Sequence, residues 1–195
     1  MNWGLVMQNI CNVRCDAIVN AANKIMLGGA GVDGDIHHAA GPELVRYIEK
    51  SVPTIGVSEA DEAVPIRCDV GMAVTTPSFG LQSVCKAIIH TVGPVWTGGR
   101  KGEAKKLAKC YWSCLDEAKA RGFKSIAFPC ISAGCYRFPT NLAADVAVRS
   151  VCSWLKRNPD SDIKVIFVTY TVADNEAYEN IMPYYSRKLG EKNQL

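Results

Sequence analysis

An α/β sandwich around one central sheet is predicted by two observations. Short β-branched runs alternate with segments whose apolar residues recur at helical spacing, and the later runs are nearly all apolar, as in strands buried on both faces. The 195 residues, 48% of them hydrophobic, suffice for one substantial core, and residues 1–195 read as a single domain.

The strand candidates are residues 4–7 (GLVM), 17–20 (AIVN), 72–77 (MAVTTP), 86–92 (KAIIHTV), 125–129 (SIAFP) and 163–170 (IKVIFVTY). Between them Leu107, Cys110, Tyr111, Cys114, Leu115 and Ala118 repeat at helical spacing. Ala144, Val148, Val151, Cys152 and Leu155 do so again before Asn158-Pro159, so two long helices cover the sheet. A third helix is expected from about 174 to 186, and a short one from Val32 to a stop at Gly41-Pro42. Residues 53–69, PTIGVSEADEAVPIRCD, hold two prolines, a glycine and a cluster of acids without apolar period; they read as an irregular surface excursion.

Charge excludes some functions. Charged residues make up 21% of the chain and the net charge is +3, too little for nonspecific attraction to nucleic acid. The basic stretch GGRKGEAKKLAK (98–109) has no interleaved aromatics for base stacking and reads as a solvated helix start, so a nucleic-acid partner is not expected. No apolar run reaches the roughly 18–20 residues of a membrane span, and residues 1–14 lack the pattern of a secretory signal. A cytoplasmic monomer without a membrane partner is the expectation. The nine cysteines are odd in number, lie mostly in apolar runs and include no Cys-x-x-Cys, which favours buried reduced thiols over a disulfide framework or a zinc cage.

Ligands of such sandwiches sit at the carboxyl ends of the strands, and three loops there stand out. The first, NAANKIMLGGAGVDGDIHHAAG (20–41), has the glycine density of a phosphate loop without its Lys-Ser/Thr ending. Asn20 and Asn23 offer amides, Gly28, Gly29 and Gly31 permit close backbone approach, and a helix N-terminus follows. The second, PCISAGCYRFP (129–139), exposes backbone N–H groups at Ser132, Ala133 and Gly134 before another helix, with Tyr136 adding a ring. Two such loops suit a diphosphate. At the third, Tyr170 ends a strand where a base could stack, although packing is the ordinary role of a strand-end tyrosine.

Asp33, flanked by Val32 and Gly34 at a helix start, would ordinarily be an N-terminal cap or dipole partner. The motifs argue otherwise. DAIVNAAN (16–23), LGGAGVDGDIHHAAGP (27–42), IIHTVGPVW (88–96) and ISAGCYRFP (131–139), in this order and spacing, resemble the macrodomain family, and GVDGDIH its MacroD-type hydrolase branch. The match covers nearly the whole chain.

That resemblance implies a three-layer α/β/α sandwich with a mixed, mostly parallel sheet and a pocket for ADP-ribose. Gly31, Val32 and Asp33 match the loop around the distal ribose and phosphate, Ser132, Ala133, Gly134, Cys135 and Tyr136 the loop closing over the diphosphate, and Asn23 the amide that binds the distal ribose. Asn20, also counted among the substrate-binding residues, is the preceding asparagine, which organises the loop more than it touches ligand, and Tyr170 remains a stacking candidate. Asp33 matches the catalytic aspartate, which orients or activates water near the anomeric carbon while a carboxylate leaves. Such chemistry needs positioning and one base, with no metal or cofactor. His37, four residues on and on the same helical face, either aids proton transfer or serves as a structural hydrogen-bond partner.

The implied activity is removal of mono-ADP-ribose from acidic side chains of proteins, deacetylation of O-acetyl-ADP-ribose, or both. The implied partners are ADP-ribose, ADP-ribosylated proteins and O-acetyl-ADP-ribose. A non-catalytic ADP-ribose (or poly-ADP-ribose) reader is the alternative. A nicotinamide-dependent dehydrogenase is more distant, since its glycine fingerprint is absent.

Three departures mark this chain. Where the family has Gly-Asp-Ile-Thr, its acid accepting the adenine amino group, this chain has QNIC, with Asn9 for the acid and Ile10 beside it. A neutral amide accepts that bond about half as strongly as a carboxylate. Ala30 replaces a glycine, tolerable only at negative φ, and Arg137 replaces another, where it either clamps phosphates or points to solvent. The zinc-dependent branch places a cysteine and histidines in the first glycine loop; here that loop has no cysteine, and the adjacent His37 and His38 diverge by about 100° on a helix.

Overall fold

The alternation of patterns resolves, in the computed structural model, into eight strands and five α-helices over the described residues 3–190. In chain order they are β1 (Trp3–Met7), β2 (Ala17–Ala21), α1 (Val32–Ala40), α2 (Pro42–Ser51), β3 (Gly56–Val57), β4 (Pro65–Ile66), β5 (Ala73–Pro77), β6 (Ala87–Thr91), α3 (Glu103–Ala120), β7 (Ser125–Phe128), α4 (Thr140–Arg157), β8 (Lys164–Thr169) and α5 (Val172–Gly190). Six strands form one sheet in the order β1-β8-β7-β2-β6-β5. Every neighbouring pair is parallel except β5 against β6, so the sheet is mixed and mostly parallel, as predicted.

Side-chain alternation sorts the core into two layers. Ala17, Val19, Ile89, Ile126, Phe128, Val165 and Phe167 face α3, α4 and α5, meeting Leu107, Leu115, Val148 and Trp154. The intervening residues Ile18, Ile88, Ala127 and Val168 face α1 and α2, meeting Ile36, Leu44 and Ile48. Each Val, Leu, Ile or Phe side chain among them contributes about 1.5–3 kcal/mol by leaving water. The result is the three-layer sandwich.

Three elements differ from expectation. The glycine-proline pair does end α1, with Gly41 at φ 83, but Pro42 is also the first residue of a second helix, α2, that buries Leu44 and Ile48. Proline lacks only an N–H that a first helical residue leaves unused, so a stop signal and a start signal coincide. The excursion at 53–69 contains the antiparallel pair β3 and β4, too short to show a period. Its end is pinned, because the Arg67 and Cys68 N–H groups donate to Lys24 O. The last helix runs longer than expected and holds Pro183 inside it. Among the described residues no helix is long and apolar enough to cross a membrane.

Candidate functional site

The parallel strands β2, β7, β8 and β1 end on one edge of the sheet, and the loops leaving them enclose a cleft in two parts. The larger, about 590 Å³, lies over β1 and β8 and includes Gln8, Asn9, Ile10, Asp35, Ala133 and Tyr170 among its walls. The smaller, about 270 Å³, lies over β2 and includes Asn23, Gly29, Asp33, Gly93, Ser132, Cys135 and Tyr136. Gly31, Val32, Cys130 and Gly134 line both, so the parts meet where the two glycine loops face each other.

Asp33 is the second residue of α1, whose N-cap is Gly31, and its carboxylate does not cap the helix. Oδ1 accepts a hydrogen bond from Asn20 Nδ2 at 2.7 Å and Oδ2 one from Asn23 Nδ2 at 3.4 Å. The residue is 4% exposed. His37 stands one turn later, Nε2 3.5 Å from Asp33 Oδ1, and neither ring nitrogen makes a hydrogen bond. Burial raises the Asp33 carboxyl above the usual range, against the Asn20 bond and the nearby His37, and burial lowers His37 against the pull of Asp33. Desolvation outweighs attraction for both groups, which fits an acid with no Lys or Arg within ion-pair distance among the described residues.

Behind Asp33 runs a buried polar chain. Asn20 Nδ2 also lies 3.1 Å from His90 Nδ1, and His90 Nε2 lies 2.9 Å from Thr76 Oγ1. Turning the amide over would set two oxygens together at Asp33, so Nδ2 is the donor, His90 Nδ1 accepts and His90 Nε2 carries the proton. Desolvation of the fully buried ring pushes its pKa down to about 3, so it is neutral. Asn20 and His90 are register partners on β2 and β6, which explains their juxtaposition.

Asn20, counted among the substrate-binding residues but expected to organise the loop more than to touch ligand, is fully buried and lines neither part of the cleft; it holds the carboxylate from behind. Asn23 does line the smaller part, but its oxygen accepts from the Ile25 and Met26 N–H groups and its nitrogen donates to Gly28 O at 2.8 Å. Its amide shapes the loop as well as facing the cleft. Gly29 passes so near that a Cβ there would lie 2.8 Å from Asp33 Oδ2, so a side chain at 29 would cover the carboxylate.

The closing loop is held under strain. Ser132 (φ 67) and Arg137 (φ 55) are left-handed, a conformation costing about 1–3 kcal/mol for a residue with a Cβ. Arg137 therefore occupies a backbone position that suits glycine, and its exposed side chain lines neither part of the cleft. Trp96 braces the loop, its backbone N–H donating to Tyr136 O at 2.9 Å and its ring centroid 4.6 Å from that of Phe138. The N–H groups of Gly134, Cys135 and Tyr136 have no acceptor among the described residues, and at the start of α1 Asp35 N–H donates to Gly31 O while those of Val32, Asp33 and Gly34 have none. Ala30 is not among the residues of positive φ, so the alanine fits.

Asn9 departs from expectation in what its amide does. Its oxygen accepts from Cys11 N–H at 2.9 Å and its nitrogen donates to Asp35 Oδ2 at 3.2 Å. Tyr170 is 74% exposed at the rim of the larger part, open to a flat ring. Cys130 lines both parts as a thiol that burial pushes up to about 12, and Cys135 is exposed. All nine cysteines are unpaired. Among the described residues no three His, Cys, Asp or Glu side chains gather as a metal cage.

Sequence reasoning gave no role to His90, Asp35, Asp174 or Thr171. His90 had a signal, a lone histidine in an otherwise apolar strand. Asp35 had a weaker one, a second acid in the first turn of α1.

A cleft at the carboxyl edge of a mostly parallel sheet, framed by two loops of free backbone N–H groups with one buried carboxylate, defines a binding protein for an anionic, nucleotide-like ligand. The comparisons agree with that class. The family model described as "Macro domain" matches residues 19–147. A macro domain-containing protein of Ralstonia nicotianae is 46% identical over 175 residues, covering 89% of this chain and 90% of its own. An O-acetyl-ADP-ribose deacetylase of Salmonella typhimurium is 42% identical over 178 residues, 91% of this chain and 92% of its own. Among solved structures, the Oceanobacillus iheyensis macrodomain with ADP superposes with a TM-score of 0.82 at 33% identity, covering 95% of this chain and 92% of that one. The Trypanosoma brucei macrodomain in complex with ADP-ribose gives 0.76 at 32% identity, over 92% and 68%. The chain belongs to the macro domain family.

Proposed function

We propose that this protein binds ADP-ribose and hydrolyses an ester at its distal ribose, releasing acetate from O-acetyl-ADP-ribose or an acidic side chain from mono-ADP-ribosylated protein. The observation that carries the reading is Asp33, a desolvated carboxylate in the wall of the smaller part of the cleft, beside two loops of unpaired N–H groups. The larger part takes the adenosine, the junction at Gly31 and Gly134 the diphosphate, and the smaller part the distal ribose. Ligand names on the relatives, an O-acetyl-ADP-ribose deacetylase and macrodomains with ADP or ADP-ribose, support that assignment.

Asp33 acts as general base. It takes a proton from water as the water oxygen attacks the ester carbon, the bond from that carbon to the leaving oxygen breaks, and the proton held by Asp33 passes to the leaving oxygen, which departs as an alcohol after attack at the acyl carbon or as an acid after attack at the anomeric carbon. The raised pKa makes Asp33 a stronger base than a surface carboxylate, at the cost of a smaller ionised fraction at a given pH. Asn20 and His90 keep its geometry, and His37 Nε2 stands 3.5 Å from its Oδ1.

The test is incubation with O-acetyl-ADP-ribose and, separately, with an Asp- or Glu-linked ADP-ribosylated protein. Release of product by the native protein, with loss in Asp33→Ala and retained ADP-ribose binding by calorimetry, is the expected result. Binding without turnover would make the protein a reader; equal release by Asp33→Ala would remove the residue from the mechanism.

A further inference from the structure

We propose that Glu103 is a positioning residue for the closing loop, acting from outside the cleft through residues 97–101 and Trp96. The inference rests on the assignment of the diphosphate to that loop. Glu103 opens α3, lines neither part of the cleft and is 1% exposed. Its carboxylate turns back over the preceding loop. Oε1 accepts from Thr97 N–H at 3.1 Å, Thr97 Oγ1 at 2.7 Å and Gly99 N–H at 3.2 Å, and Oε2 accepts from Lys101 N–H at 2.7 Å. Among the described residues, 97–101 make no other backbone hydrogen bond. An exposed loop with glycines of positive φ at Gly98, Gly99 and Gly102 is thus anchored on one buried carboxylate.

The anchored loop reaches the cleft through Trp96. Gly99 lies so near the indole that a Cβ there would sit 2.9 Å from the ring, and the indole packs on Phe138. The Trp96 backbone N–H also holds Tyr136 O. Tyr136 and Phe138 belong to the closing loop, whose N–H groups at 134–136 are left for phosphate oxygens. Left-handed Ser132 and Arg137 strain that loop, and such strain persists only where surrounding contacts over-determine the conformation. Trp96 supplies contacts of that kind, and Glu103 fixes the segment that follows Trp96. A carboxylate suits the task because both of its oxygens accept; an amide keeps one accepting oxygen and sets its NH2 against Lys101 N–H. A buried carboxylate stripped of its donors is costly, so acid and loop order each other.

The test is ADP-ribose calorimetry and amide hydrogen exchange on the native protein, Glu103→Ala, Glu103→Gln and Thr97→Val, each below its melting temperature. Glu103→Ala should weaken ADP-ribose binding by about tenfold, because the ligand must then order a loop that was pre-ordered. It should speed exchange at 132–138 while α1, β2 and β6 exchange as before. In turnover of O-acetyl-ADP-ribose the loss should fall on KM and leave kcat within about twofold. Glu103→Gln, which keeps the Oε1 bonds, should recover most of the affinity. Thr97→Val, which removes one hydroxyl donor at an exposed residue, should show the same pattern more weakly, and it carries the comparison if Glu103→Ala does not fold. Unchanged ADP-ribose affinity in these variants, or exchange that rises through the whole chain without a focus at 132–138, overturns the proposal with the proposed function intact. Absence of ADP-ribose binding to the native protein defeats the proposed function, and exchange at 132–138 then decides the role of Glu103.

Discussion

The two faces of the sheet are built for different ends. The face under α3, α4 and α5 is nearly all apolar, and its polar tips are satisfied at the edges, as where Trp154 Nε1 donates to Asp116 Oδ1 at 2.7 Å. The face under α1 and α2 carries, at the carboxyl end of the strands, the buried chain Thr76, His90, Asn20 and Asp33. Apolar burial stabilises without direction, whereas a desolvated carboxylate costs stability and points one pair of atoms at the cleft. Strain at Ser132 and Arg137 lies on the same edge. Met26, also of positive φ, lies in the first glycine loop, whereas Phe79, the fourth such residue, lies between β5 and β6 and lines neither part of the cleft.

That contrast can be broken from both sides. Asp33→Asn keeps the shape and should lower turnover by about 10²–10⁴-fold, the range of a lost general base, while thermal stability holds or rises because no charge is buried. Trp154→Ala should do the reverse, costing about 3–5 kcal/mol in urea unfolding while turnover per folded molecule is unchanged. Gly93→Ala strikes the join between loops. Its Cβ would lie 2.1 Å from Ser132 Oγ, so the closing loop must shift, at about 1–3 kcal/mol of stability, with weaker ADP-ribose binding in the same titration.

The smallest effect concerns pH. His90 has a folded pKa of about 3 against 6.5 for a free histidine, so below pH 6.5 the unfolded chain takes a proton that the folded one refuses. Its contribution to stability is present above 6.5 and falls away toward pH 3. Urea midpoints measured between pH 7 and 5 should decline, and His90→Gln should decline less steeply from a lower starting value. An unchanged slope would remove His90 as the source of the decline.

Much of this was legible from residues. Strands such as AIIHT are buried through their length because both faces are covered, and α3 and α4 show their stripes over 18 residues each. The element α2 was missed because Pro42 signals a stop and a start with the same chemistry, and β3 and β4 because two residues cannot show a period. The candidate site was legible where motifs are contiguous, in the loops carrying Asn23, Asp33 and Ser132.

What the sequence by itself determined is therefore the alternation, the two amide loops and the acid at a helix start, all properties of neighbours along the chain. Tertiary structure alone decided that Asp33 is held by Asn20 in place of capping its helix, that His90 stands behind it across a strand pair, and that Asn9 turns its amide to Asp35, 26 positions away. Those facts depend on register and on which face of the sheet is covered. A carboxylate's pKa and partners are set by what lies within a few ångströms, and local sequence does not specify which distant residues those are.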